Sequence, residues 1–142
     1  MRKILTTNHS HEIEIQSIQA QIHVVEVELE KFGHKVGLSE SDIEDFGIAA
    51  TEMVNNAIRH GNKNDASKKV HIKFEKTKTE MRITIRDDGG GFNPDDIADP
   101  LKPENLYKES GRGIFIVRML MDKVDFRFTK SGTEVILVKK LT

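Results

Sequence analysis

Thr51-Glu52-Met53-Val54-Asn55-Asn56-Ala57-Ile58-Arg59-His60-Gly61-Asn62 sets a carboxylate, amides and a histidine into an otherwise apolar run. At helical spacing Glu52 and Asn56 emerge on one face, with His60 one further step along it. Magnesium takes oxygen ligands and usually binds through one or two protein groups plus phosphates. An Asn56 amide oxygen can therefore hold the metal and leave Glu52 as a base. Ile43, Phe46, Ala50, Val54, Ala57 and Ile58 form a core-facing stripe that Ile48 and Met53 broaden. The competing reading makes Glu52, Asn55 and Asn56 a solvated face. Two glycine clusters downstream decide between the readings.

Asp87-Asp88-Gly89-Gly90-Gly91-Phe92 follows Met81-Arg82-Ile83-Thr84-Ile85-Arg86, whose alternation predicts a strand with one buried face. The cluster sits at the strand end. Glycines there permit positive φ and close approach to a ligand, and a carboxylate at the rim accepts a hydrogen bond from an exocyclic amine such as that of adenine. An Asp-Gly hairpin turn is the plainer alternative, but three consecutive glycines exceed what a tight turn needs.

All three prolines, Pro94, Pro100 and Pro103, fall in a stretch without periodicity, about 93–110. A loop of that length predicts a lid over a nucleotide. It ends at Ser110-Gly111-Arg112-Gly113, before Ile114-Phe115-Ile116-Val117-Arg118-Met119-Leu120-Met121, which reads as a buried helix. A helix N-terminus attracts anions, and glycines let phosphates come close. The alternative is a plain helix start capped by Ser110. No Gly-x-x-x-x-Gly-Lys-Ser/Thr run occurs, and no Gly-x-Gly-x-x-Gly leads from a strand into a helix, which argues against P-loop and dinucleotide folds.

The order of these motifs resembles the GHKL (Bergerat) ATP-binding superfamily of gyrase, Hsp90, histidine kinases and MutL. Length, the Glu-x-x-x-Asn-Ala-x-x-His-Gly form of the first motif and the short lid are similar to the bacterial anti-sigma factor serine kinases of the RsbW and SpoIIAB type. The likeness runs from about Ile4 to about Lys140. It implies that Glu52 is the general base acting on the attacking hydroxyl and that Asn56 holds magnesium against the phosphates of ATP or ADP. It further implies that Asp87 binds adenine, that Gly89 and Gly91 turn beneath the purine, and that Gly111 and Gly113 admit the phosphates. Thr133, in Ser131-Gly132-Thr133-Glu134-Val135, matches a threonine that supports the adenine contact through water.

Two further nucleotide contacts are candidates. Arg112 stands between the lid glycines, where the family varies, and is otherwise a solvated cation at a lid hinge. His60 follows the catalytic face, and is otherwise a partner of helix-terminal carbonyls.

The 142 residues predict a single domain, 1–142, able to bury a core. A net charge of -1 argues against nonspecific nucleic-acid binding as the main task. The absence of cysteine excludes disulfides and thiolate zinc sites, and with no signal peptide or long apolar run a cytoplasmic location is expected, off the membrane. A short strand is expected at Lys3–Thr7 and a helix from about Ser10 to Phe32, striped by Ile13, Ile15, Ile18, Ile22, Val25 and Leu29. His9 and His11, two apart, do not make a metal site on a helix and read as polar residues near a terminus. Gly33 and Gly37 end that helix, and Ser39 or Ser41 caps the next. Strands follow at Val70–Glu75, Met81–Arg86, Val124–Phe128 and Thr133–Val138. The expected fold class is α/β, a two-layer α+β sandwich with helices on one face of a mixed, mainly antiparallel sheet.

The leading functional expectation, implied by the resemblance, is a kinase that sequesters a sigma factor and phosphorylates a serine of a STAS-type anti-anti-sigma antagonist. A homodimer belongs to the same expectation. The alternatives are an ATP-binding partner-switch module without phosphoryl transfer, against which the joint presence of Glu52 and Asn56 counts, and a stand-alone GHKL ATPase in which Glu52 activates water.

Overall fold

A computed structural model describes residues 9–90 and 111–141. The expected strand at 3–7, Gly91 and the expected lid therefore lie outside the described residues. The five strands are β1 (His9–Gln16), β2 (Lys69–Lys76), β3 (Glu80–Asp87), β4 (Lys123–Phe128) and β5 (Thr133–Lys140). They form one sheet in the order β1-β2-β3-β5-β4. Among the described residues every neighbouring pair runs antiparallel, in line with the mainly antiparallel sheet expected. β4 points the same way as β3, but the hairpin from β4 inserts β5 between them, so the two parallel strands never touch.

Three helices, α1 (Ile22–Lys35), α2 (Glu40–Asn56) and α3 (Gly111–Leu120), accompany the sheet. The strands that face them carry Ile15, Val70, Ile72, Phe74, Met81, Ile83, Ile85, Val135 and Leu137, which are buried together with Val25, Leu29, Phe46, Met53 and Val54 of the helices. Phe32 of α1 stacks on Phe74 of β2 at 5.6 Å between ring centroids. Lys139 of β5 reaches Asp42 at 3.0 Å and also binds Asp45, which fastens the start of α2 to the sheet. The cap of α2 is Ser39, whose Oγ accepts from the Asp42 N–H at 3.1 Å.

The first helix begins later than the apolar stripe suggests. His9–Gln16 is a strand paired with β2 from His9↔Lys76 to Gln16↔Lys69, and α1 starts only at Ile22. Ile13 and Ile15 belong to a period of two, with Ile15 turned to the core and Glu12, Glu14 and Gln16 exposed. Nor are the histidines loose terminal residues. His11 lies over Phe74 at 6.2 Å and 3.9 Å from Glu28. Among the described residues no helix is long and apolar enough to cross a membrane.

Candidate functional site

At the end of α2 the backbone changes its winding: Ala57–Gly61 is a single turn of π-helix. The Asn62 N–H bonds back five residues to the Ala57 carbonyl at 2.8 Å. Single π-turns inside helices concentrate at functional positions. Glu52 and Asn56 both precede the change, so their shared face is an ordinary α-helical one. His60 lies within the π-turn, half-buried, and the wider winding removes it from the α-helical step assumed for it.

Asn56 is 1 % exposed, and neither its Oδ1 nor its Nδ2 has a hydrogen-bond partner among the described residues. A buried amide with both ends unbonded is costly, at roughly 1–3 kcal/mol. Its oxygen suits a hard cation and its nitrogen a phosphate oxygen, so magnesium and nucleotide phosphates fit this residue. Glu52, one turn earlier, packs against the start of α3: a Cβ on Gly113 would overlap the Glu52 carboxylate. The glycine at 113 thus lets the first turn of α3 close on the carboxylate. Gly111 opens that helix, while the side chain of Arg112 lies outside the described residues.

Asp87 stands at the end of β3 and is 2 % exposed. Its Oδ1 accepts from the Gly89 N–H at 3.0 Å and the Thr133 N–H at 3.1 Å. Burial is the dominant influence on its carboxyl group and raises its pKa above the ordinary 3.8, against the lowering effect of those two hydrogen bonds. Oδ2 receives no donor from the described residues. Thr133 thus joins the site through its main chain, holding the carboxylate from β5. Asp88 takes no part in this: its Oδ2 lies 2.7 Å from His71 Nε2, and His71 Nδ1 lies 3.2 Å from Glu14 on the opposite face of the sheet. Alternation along the strand separates the two aspartates.

The glycines divide their duties. Gly90 has φ +83°, whereas a Cβ on Gly89 would strike the Gly61 carbonyl. Cβ atoms on Gly61 and Gly132 would each run into Asp87. Three glycines from the π-turn, the β3 end and the β5 hairpin therefore wrap one aspartate. Sequence reading passed over two residues of this cradle, Gly132 and Asn62. Asn62 is 1 % exposed and joins three strand ends, donating to Ser17 Oγ at 2.7 Å and to the Lys69 carbonyl at 2.9 Å while accepting the Asp88 N–H at 2.9 Å. Its place directly after the His-Gly pair was the only local signal.

Residues 15–139 match the family described as histidine kinase-like ATPase domain. The serine-protein kinase RsbW of Bacillus licheniformis is 30% identical over 126 residues, covering 84% of this chain and 78% of the relative. RsbW of Bacillus subtilis is 26% identical over 136 residues, with 92% and 84% covered. A crystal structure of RsbU and RsbW domains from a Mycobacterium tuberculosis protein superposes with a TM-score of 0.71 at 18% identity, over 94% of this chain and 33% of that one, and shows the likeness of fold.

Proposed function

Because the chain belongs to the histidine kinase-like ATPase family, in the branch of the RsbW serine-protein kinases, we propose that it is an ATP-dependent serine kinase and anti-sigma factor. In this reading it sequesters a sigma factor and phosphorylates a serine on a STAS-type anti-anti-sigma antagonist. The observation that carries the proposal is the Asn56 amide, buried and unbonded one helical turn from a Glu52 carboxylate that rests on the start of α3.

Asp87 Oδ2 accepts the adenine amine, and Gly61, Gly89 and Gly132, which have no side chain to collide with Asp87 or with the Gly61 carbonyl, let the main chain close around that carboxyl group. The first turn of α3 offers N–H groups to the phosphates, with Gly111 and Gly113 admitting them. Magnesium, held by Asn56 Oδ1, supplies charge neutralisation at the phosphates when bound. Glu52 orients the serine hydroxyl and accepts its proton as the oxygen bonds to the γ-phosphorus and the bond to the β,γ-bridging oxygen breaks, releasing ADP. The phosphoserine adds roughly two negative charges, enough to break a docked interface.

Radiolabelled ATP, the protein and a STAS-domain protein from the same cell give a direct assay of phosphoserine. Glu52→Gln should retain nucleotide, because the base contributes little to holding it, and should slow transfer by roughly a hundredfold or more. Transfer at the parental rate by Glu52→Gln would exclude Glu52 as the base.

A further inference from the structure

α1 and α2 lie side by side in opposite directions and leave a groove of about 360 Å³ between their outward faces. Side-chain bonds mark its two ends: His34 Nε2 to Glu40 Oε1 at 2.9 Å, and Gln19 Nε2 to Asn55 Oδ1 at 2.7 Å. Leu29 and Ile43 make the floor, and Ile48, 42 % exposed, stands along one wall. The rim is acidic. Glu26 and Glu30 line it from α1 and Glu44 from α2, and no lysine, arginine or histidine is among the lining residues.

Gly47 lies in the middle of this groove and in the interior of α2. A Cβ there would meet nothing within 4 Å, and the residue has no positive φ. Glycine weakens a helix interior relative to alanine, and neither steric conflict nor backbone conformation asks for it here. A bare backbone at that point does allow another helix to approach closely.

We propose that the α1–α2 groove docks a basic amphipathic helix of a protein partner, with the partner backbone nearest Gly47. Apolar residues of that helix cover Ile43 and Ile48 above the Leu29 floor, and its lysines or arginines meet Glu26, Glu30 and Glu44. A second copy of this chain fits poorly. A two-fold contact of groove on groove sets each glutamate cluster against its own copy. The inference does not rest on the kinase reading, since the groove and the Asp87 site use different residues.

The probe is a synthetic helical peptide of leucine and lysine with leucines at i, i+3, i+4 and i+7, beside the same peptide with glutamate in place of lysine. Binding is read by fluorescence anisotropy and located by amide hydrogen exchange on the full chain. The lysine peptide should protect α1 and α2 along the groove, and the glutamate peptide should not bind. Gly47→Leu and the Glu30→Lys/Glu44→Lys pair should each weaken the lysine peptide by about tenfold or more, with ATP binding unchanged. Gly47→Ala should melt no lower than the parent and bind the peptide less tightly. Protection elsewhere, parental affinity in Gly47→Leu, or a lower melting temperature for Gly47→Ala would each overturn the proposal. A concentration-dependent dimer abolished by Gly47→Leu would assign the groove to a second copy and overturn it too.

Discussion

Asp87 is a carboxylate kept from water at the cost of stability. Its raised pKa means that the folded chain binds this proton more tightly than the unfolded chain does. The associated stability is fully present below the unfolded value of 3.8 and is lost as pH rises through 3.8 to the raised folded value. Asp87→Asn keeps an oxygen for the Gly89 and Thr133 N–H groups and removes the charge. The variant should therefore gain stability relative to the parent as pH rises from acid to neutral, while adenine nucleotide binding falls. Melting curves across pH, paired with calorimetry, measure both. A stability difference that is flat with pH would show that the Asp87 proton is not the source. Asn56 poses the same conflict without charge: Asn56→Leu removes two unbonded polar atoms from the interior and should raise the stability of the ligand-free protein by about 1–3 kcal/mol. The same change should abolish magnesium-dependent nucleotide binding. Denaturant unfolding that finds Asn56→Leu less stable than the parent would mean the amide is satisfied within the folded chain.

At the scale of elements, the Lys139 bridge joins the last strand to the first turn of α2, the helix that carries Glu52 and Asn56. Burial lowers the affinity of Lys139 for its proton, but the bonds to Asp45 and Asp42 outweigh it and leave the pKa raised. Lys139→Ala strands two aspartates beside each other and should cost about 1–3 kcal/mol, charge-assisted bonds being worth that much. Urea unfolding checks this, and Lys139→Arg should recover most of the loss. α2 was legible in the sequence because cap, stripe and turn residues agree, and β2, β3, β4 and β5 because alternation and hairpin residues do. β1 was not. Ile13 and Ile15 fall in line with Ile18, Ile22 and Val25, so a helical stripe ran unbroken through a strand and its turn. The π-turn at Ala57–Gly61 left no trace either, since its apolar residues suit either winding. Of the candidate site, Glu52, Asn56, Asp87 and the glycines at 89, 111 and 113 could be singled out locally. Asn62 and Gly132 could not, because they meet the Asp87-Asp88 corner across 26 and about 45 positions of chain.

For the molecule as a whole, the parts that meet the proposed nucleotide are those that the ligand-free fold satisfies worst. The Asn56 amide has no hydrogen-bond partner among the described residues, and the Asp87 carboxyl group is buried, closed in by glycines of the π-turn, the β3 end and the β5 hairpin. A ligand that bonds these groups binds the folded chain and not the unfolded one, so it raises stability by mass action, about 2.7 kcal/mol at a hundred times its dissociation constant. Magnesium-ADP should accordingly raise the melting temperature by several degrees. The specificity of that shift is the sharper outcome. Magnesium-GDP, which lacks the exocyclic amine at the position Asp87 addresses, should give little of it, and Asp87→Asn should lose it for ADP. Glu52→Gln, whose carboxylate acts on the hydroxyl and not on the base, should keep it in full. Equal shifts with ADP and GDP on the parent protein would remove Asp87 from base recognition, and a shift lost in Glu52→Gln would make Glu52 a binding residue and not the base.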